Sequence, residues 1–334
     1  MLTPTRRSLL LAPALGLFSK PGRPDNLANP AQHPTTRILC GGDVMLSRYV
    51  GARARRLSDP ASPLRDLAPL LSSADIAFVN LEAPFSDLGH PTERGMIFKA
   101  RPEMVEALRA AGIDVVSTAN NHARDCGRYG VDFTLDWLAK NGIAAVGTGH
   151  TAEQAHQGAV LLRNGYRYGF LAYTFDQSNG NYTDQDDRIA MMFTRTLLTF
   201  FSKPSDPYRM AADVQSLRSR SDAVIVSMHA GVEYQKQPNE EQRRFAHAAI
   251  DAGASVVVGA HPHVTQPIES YRDGAIFYSL GNLVFDQFQR QDTQHGLLAD
   301  LRFTGPKLTS YASIPVDLVN TVPRVAPGPI PRHS

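Results

Sequence analysis

From Arg37 onward the chain alternates short, continuously apolar runs with longer amphipathic stretches. The runs 38–41, 76–80, 115–118, 144–147, 159–163, 169–173, 223–228, 256–259 and 276–279 read as strands buried on both faces, because they lack the polar alternation of a half-exposed strand. The stretches 102–111, 129–140 and 239–252 place apolar residues at helical spacing. Strands interleaved with helices of that length predict an α/β domain, with a largely parallel or mixed sheet covered on both sides. One segment breaks the rhythm: 176–208 is rich in Gly, Asn, Asp and Pro and then crowds Met191, Met192, Phe193, Leu197, Leu198, Phe200 and Phe201 together. An irregular insertion of that length inside a compact domain reads as a lid or binding loop.

The first 31 residues stand apart from this pattern. A basic start with Arg6-Arg7, an apolar run from Leu9 to Phe18 and then prolines and small residues make an export signal. The paired arginines point to the twin-arginine route and so to a periplasmic or extracellular protein. The run falls well short of the roughly 18 residues needed to span a bilayer, so no transmembrane span is expected beyond the leader. Four of the 34 basic residues (Arg6, Arg7, Lys20, Arg23) lie in the leader but only one of the 32 acidic ones (Asp25), which leaves a nearly neutral body. A neutral body has no concentrated excess of Lys and Arg, which disfavours nucleic acid as a partner. The two cysteines, Cys40 and Cys126, carry no metal-binding spacing, and sequence leaves open whether they pair. Four prolines between 322 and 334 predict a disordered tail.

Chemistry gathers where the predicted strands end. Gly41-Gly42-Asp43, Asn80-Leu81-Glu82, Asn120-Asn121-His122 with Asp125, His229 to Tyr234, and Gly259-Ala260-His261-Pro262-His263 each follow a predicted strand, which is where open α/β sheets bind ligands. Taken singly, Asp43 could cap a helix, Asn120 and Asn121 could hold a turn, and each histidine could be structural. Together they bring four of the chain's 11 histidines beside two carboxylates and a carboxamide. That donor set suits a divalent ion of the Mn, Fe, Zn or Mg kind. If two such ions sit a few ångströms apart, a bridging carboxylate must offset their repulsion.

These clusters, together with Gly42-Asp43-Val44-Met45, Gly127, Gly130, the 259–266 segment and Tyr278 to Gln287, resemble the ordered motif set of the CapA family of capsule or poly-γ-glutamate biosynthesis proteins. The resemblance covers about 38–303, within a single domain placed at 37–305. It implies the four-layer α/β/β/α sandwich of calcineurin-like metallophosphoesterases, with a metal site at the strand ends. On the matching positions it implies that Asp43, Glu82, Asn121, His229, His261 and His263 ligate metal, with Glu82 bridging. His122 then stabilises the transferred group or protonates the leaving atom, and Asp43 shares in catalysis. Asn120, Asp125, Glu233, Asn282 and Asp286 would hold the ligands in place. Arg94, Lys99 and Arg101 match a family segment that faces anionic substrate, although a solvated basic face explains them as simply. One departure matters: the phosphoesterase motif Asp-x-His is here Asp43-Val44-Met45, which removes one imidazole from the first metal position.

The reaction expected from this set is hydrolysis or acyl transfer at a carboxyl-rich polymer or peptide, or hydrolysis of a phosphoester, by a protein working within a capsule-synthesis complex. Two alternatives stay open. Some CapA-like proteins resemble metal-independent peptide epimerases, for which Asp43 with His122 or His295 would form the acid/base pair. A non-catalytic protein that only holds an anionic polymer would need the same polar site.

Overall fold

The computed structural model describes residues 33–88, 96–175, 188–190, 207–328 and 332–333. The expected export leader, Arg94 and nearly all of the 176–208 insertion lie outside them. The chain opens with β1 (Thr35–Val44), α1 (Arg48–Arg56), α2 (Ala68–Leu71), β2 (Ile76–Leu81), α3 (Val105–Ala110), β3 (Val115–Ser117), α4 (Gly127–Lys140) and β4 (Ala144–Val146). A second run follows: α5 (Ala152–Gln157), β5 (Ala159–Arg163), β6 (Tyr166–Thr174), α6 (Pro207–Arg218), β7 (Ala223–His229), α7 (Glu240–Asp251) and β8 (Val256–Ala260). Strands then dominate, with β9 (Ile268–Tyr271), β10 (Gly274–Phe277), β11 (Asn282–Val284), β12 (His295–Thr304), β13 (Lys307–Val319), β14 (Val322–Val325) and β15 (Arg332–His333). Among the described residues no helix is long and apolar enough to cross a membrane.

Two sheets result. One is nine-stranded in the order β14-β13-β12-β1-β2-β3-β4, with β11 beside β1 and β15 beside β13; the other is six-stranded in the order β5-β6-β7-β8-β10-β9. The stretches β1 to β4 and β6-β7-β8-β10 are parallel, as is β11 beside β1, whereas β12 to β15, β5 and β9 pair antiparallel.

Side-chain alternation along these strands produces three apolar cores. In β1, Ile38 and Cys40 point into the space between the sheets, where they meet Phe78, Phe170, Ile225 and Val258. Leu39 and Val79 point the other way, onto Val50, Leu71, Leu108 and Leu138 of the helices α1 to α4. On the second sheet, Leu171, Val224 and Val257 turn outward against Val214, Leu217 and Phe245 of α6 and α7. Three cores between alternating layers make the expected α/β/β/α sandwich, and strands with both faces covered explain the continuously apolar runs. Cys40 and Cys126 are both free and buried.

Helix α7 starts where Asn239 accepts from Gln242 N (2.9 Å) while the Gln242 side chain accepts from Asn239 N (3.0 Å), a reciprocal cap. Asn239→Ala is expected to lower stability by about 1 kcal/mol in denaturant unfolding, with no change in slope.

The tail is corrected by the structure. Although it includes Pro323, 322–325 forms β14, paired antiparallel to β13 with Val319 opposite Val322. Asn320 (φ 51°) and Thr321 (φ 70°) both adopt the left-handed conformation that a two-residue hairpin loop requires. Arg324 then ties the strand to Asp66 (2.8 Å).

Candidate metal centre

The site forms where both sheets present the C-terminal ends of their parallel strands. In the first sheet a bulge between Cys40 and Asp43 shifts β1 relative to β2, so that Asp43 stands opposite Asn80 on one side and Asn282 on the other. Gly42 makes this possible, because a Cβ there would lie 1.8 Å from the Gly281 carbonyl oxygen. Asp43 N donates to that same oxygen (3.0 Å). Glu82 follows β2, and Asn121 and His122 follow β3. From the second sheet, His229 ends β7 in register with Ala260, and His261 and His263 come just after β8. The two later histidines flank Pro262 with left-handed backbones (φ 96° and 59°), a costly conformation for residues with a Cβ and one that clusters at functional sites. The turn is held by His261 N donating to Asp43 Oδ2 (3.2 Å) and by Tyr234 N donating to Pro262 O (2.8 Å).

All seven ligand and acid candidates meet in one buried network. His229 Nε2 lies 2.8 Å from Asn121 Oδ1 and 3.2 Å from His261 Nδ1. On its other side, His229 Nδ1 is 3.2 Å from Asn80 Nδ2, which also donates to Asp43 Oδ1 (2.8 Å). His263 Nδ1 is 3.3 Å from Asp43 Oδ2, and its Nε2 is 3.8 Å from Glu82 Oε1. His122 Nε2 approaches Glu82 Oε1 to 3.9 Å. Donor atoms of Asp43, Glu82 and His229 all lie within 4.8 Å of one another.

Glu82 gives the clearest sign of what the network accommodates. Its residue is fully buried and neither carboxylate oxygen has a hydrogen-bond partner, an arrangement that costs several kcal/mol unless a cation supplies the missing interaction. Burial, reinforced by the charge of Asp43, pushes Glu82 well above the usual carboxylate range. Asp43 goes the other way: burial opposes its ionisation, but the hydrogen bond and charge of His263, the charge of His229 and the Asn80 hydrogen bond together hold it low. Burial and the neighbouring imidazoles keep His229 far below the ordinary histidine value, and burial takes His261 down to about 3. Neutral His229 and His261, an ionised Asp43 and a Glu82 whose oxygens accept no hydrogen bond suit a divalent ion, whose binding would displace the Glu82 proton, so the residues fit a metal.

The surrounding candidates divide. Asp125 Oδ2 accepts from Phe98 N (2.6 Å) and holds His122 Nδ1 (2.7 Å), while the Phe98 ring stacks on the His122 imidazole at 3.8 Å. Asn282 Oδ1 lies 3.0 Å from His263 Nδ1. Asn120 builds the loop, donating to Leu81 O (2.9 Å) and accepting from His122 N (3.1 Å). Glu233 is exposed and acts on Glu82 only through its charge. Asp286 does not orient an imidazole: it accepts from Tyr49 N (3.1 Å) and pairs with Arg48 (2.9 Å). His295 is likewise not set against Asp43, since its half-exposed ring bonds to Asp317 (2.8 Å) at the start of β12. Lys99 donates to Leu88 O and Arg101 pairs with Glu103, so both serve local contacts. At Met45, where phosphoesterases carry an imidazole, the thioether accepts from Ser47 Oγ (3.0 Å). The insertion leaves β6 at Phe175, whose ring lies 4.8 Å from that of His261.

Sequence reasoning missed Arg48 and Phe98 altogether and gave Asn80 no role. Asn80 was at least legible, two positions before Glu82 and so on the same strand face; the other two lie on segments with no strand-end signal.

The family described as bacterial capsule synthesis protein PGA_cap matches residues 37–287. The PGA biosynthesis protein CapA of Bacillus subtilis is 32% identical over 249 residues, covering 74% of this chain and 62% of that protein. The capsule biosynthesis protein CapA of Bacillus anthracis is 32% identical over 251 residues, covering 74% and 59%. A probable polyglutamine synthesis accessory protein of Mycobacterium tuberculosis is 28% identical over 318 residues, covering 83% and 81%. The chain thus spans about three fifths of the length of the two Bacillus relatives. Among solved structures, a hypothetical protein from Thermus thermophilus shares the fold, with a TM-score of 0.53 at 17% identity over 84% of this chain and 99% of that one.

Proposed function

The chain belongs to the bacterial capsule synthesis protein family PGA_cap, and on that premise we propose that it is a metal-dependent hydrolase or transferase acting on a γ-glutamyl polymer or related carboxyl-rich peptide. It works outside the cytoplasm, addressed there by the Arg6-Arg7 leader and associated with a synthesis complex. The observation that carries the reading is Glu82, whose buried oxygens accept no hydrogen bond in a cage of Asp43, Asn121, His229, His261 and His263. A divalent cation there supplies Lewis-acid activation of an attacking water and of the carbonyl or phosphoryl group attacked.

The protein's own residues do the rest. Asn121, His229 and His261 form one contiguous donor group, and Asp43 and His263 form another, with Glu82 reaching towards the second. His122 is fixed by Asp125 through Nδ1 and by the Phe98 ring, which leaves Nε2 directed at the centre. In hydrolysis of an amide the C–N bond breaks as water oxygen bonds to the carbonyl carbon; the departing nitrogen takes the proton held on His122 Nε2, and the proton given up by the attacking water returns to Nε2 once the amine has left. Burial of every donor excludes competing water and strengthens each electrostatic contact.

The test is elemental analysis of the purified full chain paired with turnover of poly-γ-glutamate, peptidoglycan peptides and a generic phosphodiester. A bound divalent ion is expected, with turnover of the polymer abolished by chelation and restored by adding the ion back. A metal-free protein whose turnover ignores the chelator would refute the proposal.

A further inference from the structure

We infer that Arg48 is a substrate-positioning residue that receives the α-carboxylate of the residue leaving as amine, a reading that rests on the proposed γ-glutamyl substrate and names one of its subsites. Arg48 opens α1, immediately after the turn that follows Asp43, and takes a left-handed backbone (φ 49°). For a long side chain that conformation carries a cost, and it persists where the surroundings impose it. The imposing contact is Asp286: nearly buried, at 3% side-chain exposure, it accepts from Tyr49 N and pairs with one terminal nitrogen of Arg48 at 2.9 Å. The guanidinium is therefore anchored, yet its side chain stays 36% exposed, and no further acceptor engages it among the described residues. A guanidinium whose ion pair is with a single carboxylate oxygen keeps N–H donors available for a second oxyanion.

Its position gives that oxyanion an identity. The Arg48 Cζ lies 5.4 Å from the centroid of the Phe98 ring, the same ring that stacks on His122 at 3.8 Å. Phe98 also meets Phe285 edge-on (5.7 Å), and Phe285 lies 4.7 Å from His263. The guanidinium and the imidazole that faces the leaving atom thus pack against the same aromatic ring. In a γ-linked glutamyl chain the leaving nitrogen is bonded to the α-carbon, and that carbon carries the free carboxylate. The anion is therefore two bonds from the atom His122 protonates, and Arg48, packed against the ring that also holds His122, is the cation assigned to receive it. An arginine placed there selects the γ-linked polymer, because an α-linked chain carries no carboxylate on that carbon within its interior.

The experiment is calorimetric binding to the full chain in chelator, so that no turnover occurs, using a γ-glutamyl oligomer, the same oligomer with its α-carboxylates converted to amides, and inorganic phosphate. The parent protein is expected to bind the free-carboxylate oligomer at least tenfold more tightly than the amide form. Arg48→Gln should erase that preference, and Arg48→Lys should keep part of it. Arg48→Lys also serves if the glutamine variant does not fold. Equal binding of both oligomers by the parent, or an unchanged preference in the folded glutamine variant, would overturn the assignment and leave Arg48 as an anchor for α1. Arg48-dependent binding of phosphate alone would equally overturn it, in favour of a phosphoryl substrate. Because binding is read without turnover, a failure of the metal-dependent reaction leaves this result distinguishable.

Discussion

Glu82→Gln is expected to yield a protein that folds as well as the parent without metal and no longer takes up the ion. Glu82 is fully buried and accepts no hydrogen bond, and burial already favours its neutral form, so an amide of the same shape adds no charge and creates no cavity. Stability of the metal-free form should stay level or rise by about 1 kcal/mol. Metal affinity should fall by more than about 100-fold, beyond the loss seen when only an outer hydrogen-bonding partner of a ligand is removed. The parent should gain about 2.7 kcal/mol at a metal concentration of one hundred times Kd, and the variant should show none of that gain at the same concentration.

The same substitution predicts a change in the pH dependence. Glu82 is raised in the folded chain by burial and by the charge of Asp43, so the folded form binds this proton more tightly than the unfolded chain does. Its contribution is fully present below the unfolded value, about 4.3, and is lost as pH rises through the folded value. His229 and His261 act in the opposite sense. Both are depressed by burial, His261 to about 3, and their contribution is full above about 6.5 and lost as pH falls towards that depressed value. Metal-free Glu82→Gln should therefore keep the acid-side loss and shed the alkaline-side one. Thermal melts across pH in chelator read both limbs, and an unaltered alkaline limb would contradict the assignment to Glu82.

Removal of His122 is expected to have the largest effect on rate with the smallest effect on metal. His122→Asn should lower kcat by about 10²–10⁴-fold, the usual range for a positioned general acid, while metal content stays at the parental level. Asp125→Asn should follow in the same direction, because one oxygen of Asp125 holds both the His122 ring and the backbone of Phe98. A substrate whose leaving group departs without a proton, such as a nitrophenolate, should lose far less in either variant. An equal loss on both kinds of substrate would remove His122 from the role of proton donor.

The fold and the ligand set were legible in the sequence to different depths, for physical reasons. Strands such as β2 and β7 are buried on both faces, and the resulting continuous apolar runs are hard to mistake. β12 and β13 are partly exposed on one face, and Pro315 within β13 disguises it further, so an antiparallel half of the first sheet gave no comparable signal. β14 was hidden by Pro323 and the prolines that follow it, and its hairpin depends on left-handed Asn320 and Thr321 rather than on the usual glycine. Ligands at strand ends could be read because residue type and position coincide there. Asp286 and His295 could not, because which group they face is decided by α1 and β13, elements that only the folded chain brings beside them. Arg48 was invisible for the same reason: its meaning comes from Asp286, which lies near the opposite end of the chain.

The place of β1 in its sheet carries a consequence for how the molecule comes into being. It lies between β2, made shortly after it, and β12, with Thr35 paired to Thr304 and Gly41 to Leu298, while Asp43 stands opposite Asn282. Contacts between positions so distant in sequence close large loops before they yield any gain, which makes their formation slow. Until the last third of the chain has been synthesised, β1 has one edge unpaired and the turn that fixes Asp43 lacks its Gly281 acceptor. Assembly of the centre is thus a late event in the life of the nascent polypeptide, and a chain truncated before β12 would expose a sticky central strand rather than a smaller working unit.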